Sequence, residues 1–213
     1  MYQIIPSPGT QDKEWSAIEK KLQLVKPFAK TIHIDVLDGK FANNTTFLDP
    51  KPFAAYTKDT IFEVHLMVED PIRYVKPWAD AGFQRFIGQV EKMPDQVAFV
   101  AEAQLLGEVG LALDKQTPVS ALHVPLNDLD MLLLMSVQAG FSGQEFSEDA
   151  LQKIVQIRQQ TDIPIEVDGG INDETILIAA SHGATRFVTT SFLFDLETPE
   201  QQFALLEKKL QLK

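Results

Sequence analysis

The sequence predicts an α/β fold, a (βα)8 TIM barrel forming one domain over residues 1–213. Three observations carry that expectation. Eight short apolar runs rich in β-branched residues recur along the chain. Stretches with apolar residues at three- and four-residue spacing lie between most of them. The runs are near-continuously hydrophobic, as parallel strands covered by helices are. A doubly wound open sheet is the runner-up, but the first run has no G-x-G-x-x-G turn after it, which weakens a dinucleotide-binding version.

In chain order, YQIIPS (2–7) reads as the first strand and EWSAIEKKLQLV (14–25) as its helix. TIHIDVL (31–37) is the second strand, followed by KPFAAYTK (51–58), which is short and contains a proline. FEVHLMV (62–68) leads to IRYVKPWADAG (72–82), RFIGQV (85–90) to PDQVAFVAEAQLLG (94–107), and VGLAL (109–113) to the short, proline-containing VSALHVPL (119–126). DMLLLMSV (130–137) is followed by SEDALQKIVQIRQQ (147–160), IPIEVDGG (163–170) by NDETILIAASHG (172–183), and RFVTTSF (186–192) by PEQQFALLEKKLQL (199–212). Ser147 and Asn172 are expected to cap helix starts, and Gly82, Gly107 and Gly183 to close helix ends. The connections after the second and fifth strands are the weakest helices.

Composition narrows the function. Hydrophobic residues make up 45% of the chain, enough for a sizeable core. Thirty acidic residues against 19 basic ones leave a net charge of −11, a field that repels nucleic acid and anionic membrane. There is no cysteine, so disulfides and thiolate metal sites are excluded and a cytoplasmic address is favoured. The N-terminus lacks the basic region of a signal peptide, and no run approaches the length of a membrane span. Asn44-Thr45-Thr46 matches a glycosylation acceptor by chance, since no secretion signal precedes it.

The polar residues inside the apolar runs carry the chemistry. His33 and Asp35 sit two apart in the second run, so both face the barrel interior. His65 lies near the end of the third run and Asp168 at the tip of the seventh. Each alone is more often a hydrogen-bonded core histidine or a capping aspartate than a ligand. Together they place two imidazoles and two carboxyls at one mouth, a set suited to zinc, ferrous iron or manganese. His123 and His182 fall outside the strand ends and receive no catalytic role; His182 suits a helix C-terminus. Strands two and seven stand about 135° apart around an eight-stranded ring. Asp35 and Asp168 are therefore placed to take a proton from one face of a carbon and return one to the other. The carbon would lie next to a carbonyl, and a metal between the carboxylates would stabilise the enediolate. QAGFSGQEF, DGGIN and TTSFLF follow strands six, seven and eight, and the loops after strands seven and eight are where this fold binds phosphate; taken singly, Gly in such a loop is more often only a turn.

At this point the chain resembles the ribulose-phosphate 3-epimerase family, over nearly its whole length and in order. The motifs are IIPS, HIDVLDGKF, VHLMVEDP, LLLMSVQAGFSGQEF and IEVDGGIN. The resemblance implies a cytoplasmic isomerase of the pentose phosphate pathway. It would interconvert D-ribulose 5-phosphate and D-xylulose 5-phosphate, with a divalent metal and no organic cofactor. The metal, zinc foremost, with iron, manganese or cobalt as alternatives, would be held by His33, Asp35, His65 and Asp168. Asp35 and Asp168 would double as the acid/base pair. Ser7 would touch substrate, Met67 and Met135 would wall the reaction site, and Gly140, Gly143, Gly169, Gly170, Thr190 and Ser191 would meet the rest of it. The implied partner is a small sugar phosphate, and the implied assembly a homo-oligomer.

The chain also departs from the family pattern. Gln89 stands for a histidine, Leu37 for a methionine, Gln138-Ala139 for Asn-Pro and Ser142 for glycine. Thr189-Thr190-Ser191 replaces Ala-Gly-Ser, and Ala42-Asn43-Asn44 replaces Val-Pro-Asn. The acid/base set is intact while the phosphate end is altered. Two alternatives follow: an epimerase of another ketose, phosphorylated or not, and a non-catalytic barrel that binds metal or sugar phosphate.

Overall fold

The computed structural model describes residues 2–141, 143–195 and 198–211. Among them, eight strands form one sheet: β1 (Gln3–Pro6), β2 (Thr31–Leu37), β3 (Ile61–Met67), β4 (Arg85–Gln89), β5 (Glu108–Leu113), β6 (Met131–Met135), β7 (Ile165–Asp168) and β8 (Arg186–Thr189). Hydrogen bonding runs in the order β1-β8-β7-β6-β5-β4-β3-β2, with every neighbouring pair parallel. The two ends of that ladder, β1 and β2, lie side by side. Gln3 Nε2 donates to Thr31 Oγ1 at 2.6 Å, and Ser7 Oγ to Asp35 Oδ2 at 3.0 Å, across the seam. The result is a nearly closed TIM barrel.

Helices coat its outside: α1 (Trp15–Val25), α2 (Ile72–Asp80), α3 (Gln96–Gln104), α4 (Asp149–Arg158), α5 (Thr175–His182), α6 (Ser191–Phe194) and α7 (Pro199–Gln211). No helix among the described residues is long and apolar enough to cross a membrane. The two connections expected to be weakest contain no α-helix. Lys51–Ala55 follows β2 as a 3-10 turn, and Val119–Ala121 and Leu126–Asp128 follow β5. Pro118 and Pro125 each stand immediately before one of these turns, and a proline there restricts the residue in front of it to extended backbone.

Three local expectations change. The eighth strand stops at Thr189: Thr190 leaves the extended region (φ −122°, ψ −80°) and Ser191–Phe194 coil into α6. α4 begins at Asp149, whose N–H reaches back to Ser147 Oγ only at 3.4 Å, whereas Asn172 Oδ1 takes the N–H groups of Glu174 and Thr175 at 2.9 Å each. Gly82 and Gly183 end their helices with positive φ, but Gly107 does not. It is there for space, since a Cβ would lie 2.4 Å from the Gln84 carbonyl oxygen.

Strand alternation divides the core in two. Ile32, Ile34 and Val36 of β2 face outward and pack with Phe62, Val64 and Leu66 of β3 beneath the helices. Leu37, Met67, Ile87, Ala112, Leu133 and Met135 fill the barrel. His33, Asp35, Glu63 and His65 alternate with the outward set and so point inward. Where the β2–β3 connection lacks a helix, Phe53 takes over: its ring is fully buried, with Trp15, Phe62, Trp78 and Phe83 centred 4.9–6.4 Å away. Phe53→Ala is expected to destabilise the protein by about 3–5 kcal/mol, read as a lowered urea midpoint at unchanged m-value.

Candidate active site at the C-terminal mouth of the barrel

Strand register assembles the site. Asp35 pairs with His65 between β2 and β3, and Met135 with Asp168 between β6 and β7. His33, one inward position below Asp35, pairs with Glu63. His33, Asp35, His65 and Asp168 each place a ligand-capable atom within 4.8 Å of the others. The four residues singled out from the sequence are thus brought together. Asp35 Oδ1 is the common point, 3.3 Å from both His33 Nε2 and His65 Nδ1.

The far nitrogens decide what those contacts are. His33 Nδ1 lies 2.7 Å from Glu63 Oε1, and His65 Nε2 lies 2.6 Å from Gln89 Oε1. Both partners are oxygens that accept, so each imidazole donates outward and keeps a lone pair on the nitrogen that faces Asp35. Two lone pairs and a carboxylate oxygen then converge with no proton between them. That donor set fits a divalent cation, with the outer hydrogen bonds fixing ring orientation as they do around metals. Without a cation, a proton must fill the gap. Burial opposes a charge on His33, yet Asp35, with Glu166 and Glu63 behind it, holds its pKa well above the ordinary imidazole value.

The two aspartates are driven apart. Burial works against ionisation of Asp35, but the facing His33 and His65 hold it well below the usual carboxylate range. Burial and then the Asp35 charge push Asp168 up to about 7. Beneath them is a charged layer not singled out from the sequence. Arg85 bonds Glu63 and, through Nε at 2.7 Å, Glu108. Glu63 is lowered to about 2; burial opposes this, but Arg85 and His33 prevail. Glu166 is fully buried, and among the described residues neither of its carboxylate oxygens has a hydrogen-bond partner. Burial and the Glu63 charge push it up to about 7. A signal for both glutamates existed, since Glu63 precedes His65 by two residues and Glu166 precedes Asp168 by two.

A cleft opens over this cluster. Asp35 and Asp168 line it with Met67, Met135, Gly140, Gly143, Gly169, Gly170, Thr190 and Ser191. Ser7 stands behind this wall, fully buried; its hydroxyl donates to Asp35 Oδ2 and accepts the Gly9 N–H at 3.0 Å. Gly170 has φ +60°, and a Cβ there would lie 2.5 Å from the Phe146 backbone nitrogen. Asn44 Nδ2 donates to the Gly140 carbonyl at 2.9 Å, tying the loop after β2 to the loop after β6. His182 takes no role here: its Nδ1 bonds the Ile178 carbonyl at the end of α5. His123 lies away from the cleft, its N–H on Gln96 Oε1. Ser142 lies outside the described residues.

A barrel whose C-terminal mouth gathers two imidazoles and two carboxyls under a cleft is an enzyme of the TIM-barrel class. The chain belongs to the ribulose-phosphate 3 epimerase family, whose model matches residues 9–194, and it is accordingly an epimerase, an isomerase. It is 33% identical over 198 residues to a ribulose-phosphate 3-epimerase of Bacillus subtilis, covering 88% of this chain and 91% of that one. It is 32% identical over 209 residues to one of Schizosaccharomyces pombe, covering 94% and 91%. Among solved structures, a KGPDC from Streptococcus mutans superposes with a TM-score of 0.77 at 11% identity, covering 99% of this chain and 98% of that one. A mutant tryptophan synthase alpha-subunit from Pyrococcus furiosus reaches 0.72 at 14%, covering 99% and 100%. These structures share the fold.

The carboxyl environments set a pH dependence. Asp168 and Glu166 hold their protons to about pH 7 when folded, against roughly 4 in an unfolded chain. Their contribution is therefore present at low pH and lost as pH rises through 7. His33, also raised, acts in the same direction. Asp35 and Glu63, both lowered, lose theirs only as pH falls below the ordinary carboxylate range. The metal-free protein is expected to become less stable to urea as pH rises from about 4 through 7, and Glu166→Gln to flatten that slope and stabilise at about pH 8. An unchanged slope in Glu166→Gln would contradict the assignment.

Proposed function

We propose that the protein interconverts D-ribulose 5-phosphate and D-xylulose 5-phosphate by moving the C3 proton between the two faces of the ketose. The observation that carries this reading is the split pair in the cleft. Asp35 and Asp168 both line the cleft, from strands on different sides of the mouth. Inversion at a carbon needs a base on one face and an acid on the other. Asp35 removes the proton in one direction while Asp168 delivers one, and the roles exchange in the reverse direction. The names of the Bacillus subtilis and Schizosaccharomyces pombe relatives agree with this activity.

His33, Asp35, His65 and Asp168 hold a divalent cation, zinc first among the candidates, with no organic cofactor. When bound, the cation supplies Lewis-acid stabilisation of the negative charge that develops on the substrate oxygens. Met67 and Met135 wall the reacting carbon and keep water away from it. Ser7 orients Asp35 through Oδ2. Backbone N–H groups of Gly143, Gly169, Gly170 and Ser191 meet the phosphate, with Gly140 and Thr190 at the rim.

One observation favours a second reading, epimerisation of a different ketose. None of the described residues lining the cleft is Lys or Arg, and Thr190 stands at its wall where a smaller residue would leave more room. A phosphate there would be held without an ion pair. The alternatives separate by comparing ketoses with and without phosphate; a strong fall in KM for ribulose 5-phosphate in Thr190→Gly would mark a pocket shaped for something else.

The direct test is exchange. In deuterated water the zinc-loaded protein is expected to place deuterium at C3 of ribulose 5-phosphate, and Asp168→Asn to lower kcat by about 10²–10⁴-fold. Absence of exchange in zinc-loaded protein would overturn the reading for this substrate.

A further inference from the structure

Gln89 is the last residue of β4, and Glu91 sits two residues on, in the 3-10 turn Val90–Lys92. Gln89 Oε1 lies 2.6 Å from His65 Nε2, and Gln89 Nε2 donates to Glu91 Oε2 at 2.8 Å. The other oxygen of Glu91 accepts the Asp114 N–H at 2.8 Å. An amide can offer either end to a neighbour, so what surrounds it decides which way it points. An ionised carboxylate only accepts. Glu91 therefore claims the NH₂ end of Gln89, which leaves Oε1 for His65. Oε1 has no proton to give, so His65 donates from Nε2. Its lone pair then sits on Nδ1, the atom 3.3 Å from Asp35 Oδ1.

We infer that Gln89 and Glu91 are positioning residues that fix the tautomer of His65 and so make Nδ1 the nitrogen it presents to His33, Asp35 and Asp168. The inference rests on the reading of that cluster as the metal site. Neither residue lines the cleft over the cluster. Gln89 is fully buried, so an apolar residue in its place leaves the imidazole with no acceptor on that side. The only strong acceptor left to the ring is then Asp35, and the proton moves to Nδ1, where it blocks the lone pair. Glu91 is exposed, and its position is set from the end of the neighbouring strand, β5. It grips the backbone of Asp114, whose carbonyl accepts Lys153 Nζ at 2.5 Å and whose carboxylate accepts the Ala139 N–H at 3.3 Å. A surface carboxylate thereby determines the state of a buried ligand two hydrogen bonds away.

The test uses the full chain labelled with ¹⁵N-histidine, as wild type, Gln89→Leu, Glu91→Leu and the exchange variant Gln89→Glu/Glu91→Gln. Two quantities are read: the position of the His65 ring proton by NMR in metal-free protein, and the affinity for zinc alone by chelator competition. The wild type is expected to carry the proton on Nε2. Gln89→Leu is expected to move it to Nδ1 and to weaken zinc binding by about 10–100-fold. Glu91→Leu, a surface change that leaves the core intact, should do the same to a smaller degree. The exchange variant should restore both, because the new carboxylate at 89 accepts from His65 and the new amide at 91 donates to it. An unmoved proton and unchanged zinc affinity in Glu91→Leu would overturn the inference, as would an exchange variant no better than Gln89→Leu. If the proton moves as described while wild type binds no zinc, the positioning role stands and the metal reading fails.

Discussion

The mouth of this barrel depends on one crowded contact: Asp35 Oδ1 meets the imidazole nitrogens of His33 and His65 at 3.3 Å each. Nothing but a cation or a proton makes that meeting favourable, because the outer nitrogens are already committed to Glu63 and Gln89. Each partner exists to preserve it. Ser7 takes the second oxygen of Asp35, Glu63 turns His33, and Gln89 turns His65. Asp168 faces the resulting charge and keeps a proton to about pH 7 as a consequence, with burial as the larger cause.

The same constraint explains why the barrel interior is charged where a stable core would be apolar. Buried ions cost several kcal/mol each unless paired. Glu63 is paired on both sides, with His33 above and Arg85 below, and Arg85 is shared with Glu108. Glu166, by contrast, has no hydrogen-bond partner among the described residues. It lies 3.5 Å from His33 Nδ1 and keeps its proton to about pH 7. Stability is given up locally to hold the imidazoles, and the aromatic cluster around Phe53 on the outer face of β2 and β3 offsets some of that cost.

Much of this was legible in the residues. Eight apolar runs became eight strands, and proline foretold the two connections that lack an α-helix. Spacing of two put His33 and Asp35 on one face, and position at strand ends put His65 and Asp168 beside them. Glu63 and Glu166 obey the same spacing but stand inside apolar runs. Other features lie beyond local pattern. The Glu63–Arg85 pair depends on the register between β3 and β4, and the seat of Ser7 beneath Asp35 depends on how β1 meets β2. The end of β8 at Thr189 turns on one residue's backbone angles, in a stretch whose apolar pattern continues unbroken. Gln89 was visible only as a departure from a family histidine; its meaning came from the carboxylate two residues on.

In the proposed function Asp35, His33 and His65 converge on a cation and not on a shared proton. A crystal structure of the zinc-loaded protein, with anomalous scattering recorded at the zinc edge, tests it most directly. A single strong peak is expected among His33 Nε2, His65 Nδ1, Asp35 and Asp168, with ligand distances of about 2.0–2.2 Å. An empty cluster with the Asp35 contacts still near 3.3 Å, or zinc bound only at other side chains, would contradict it.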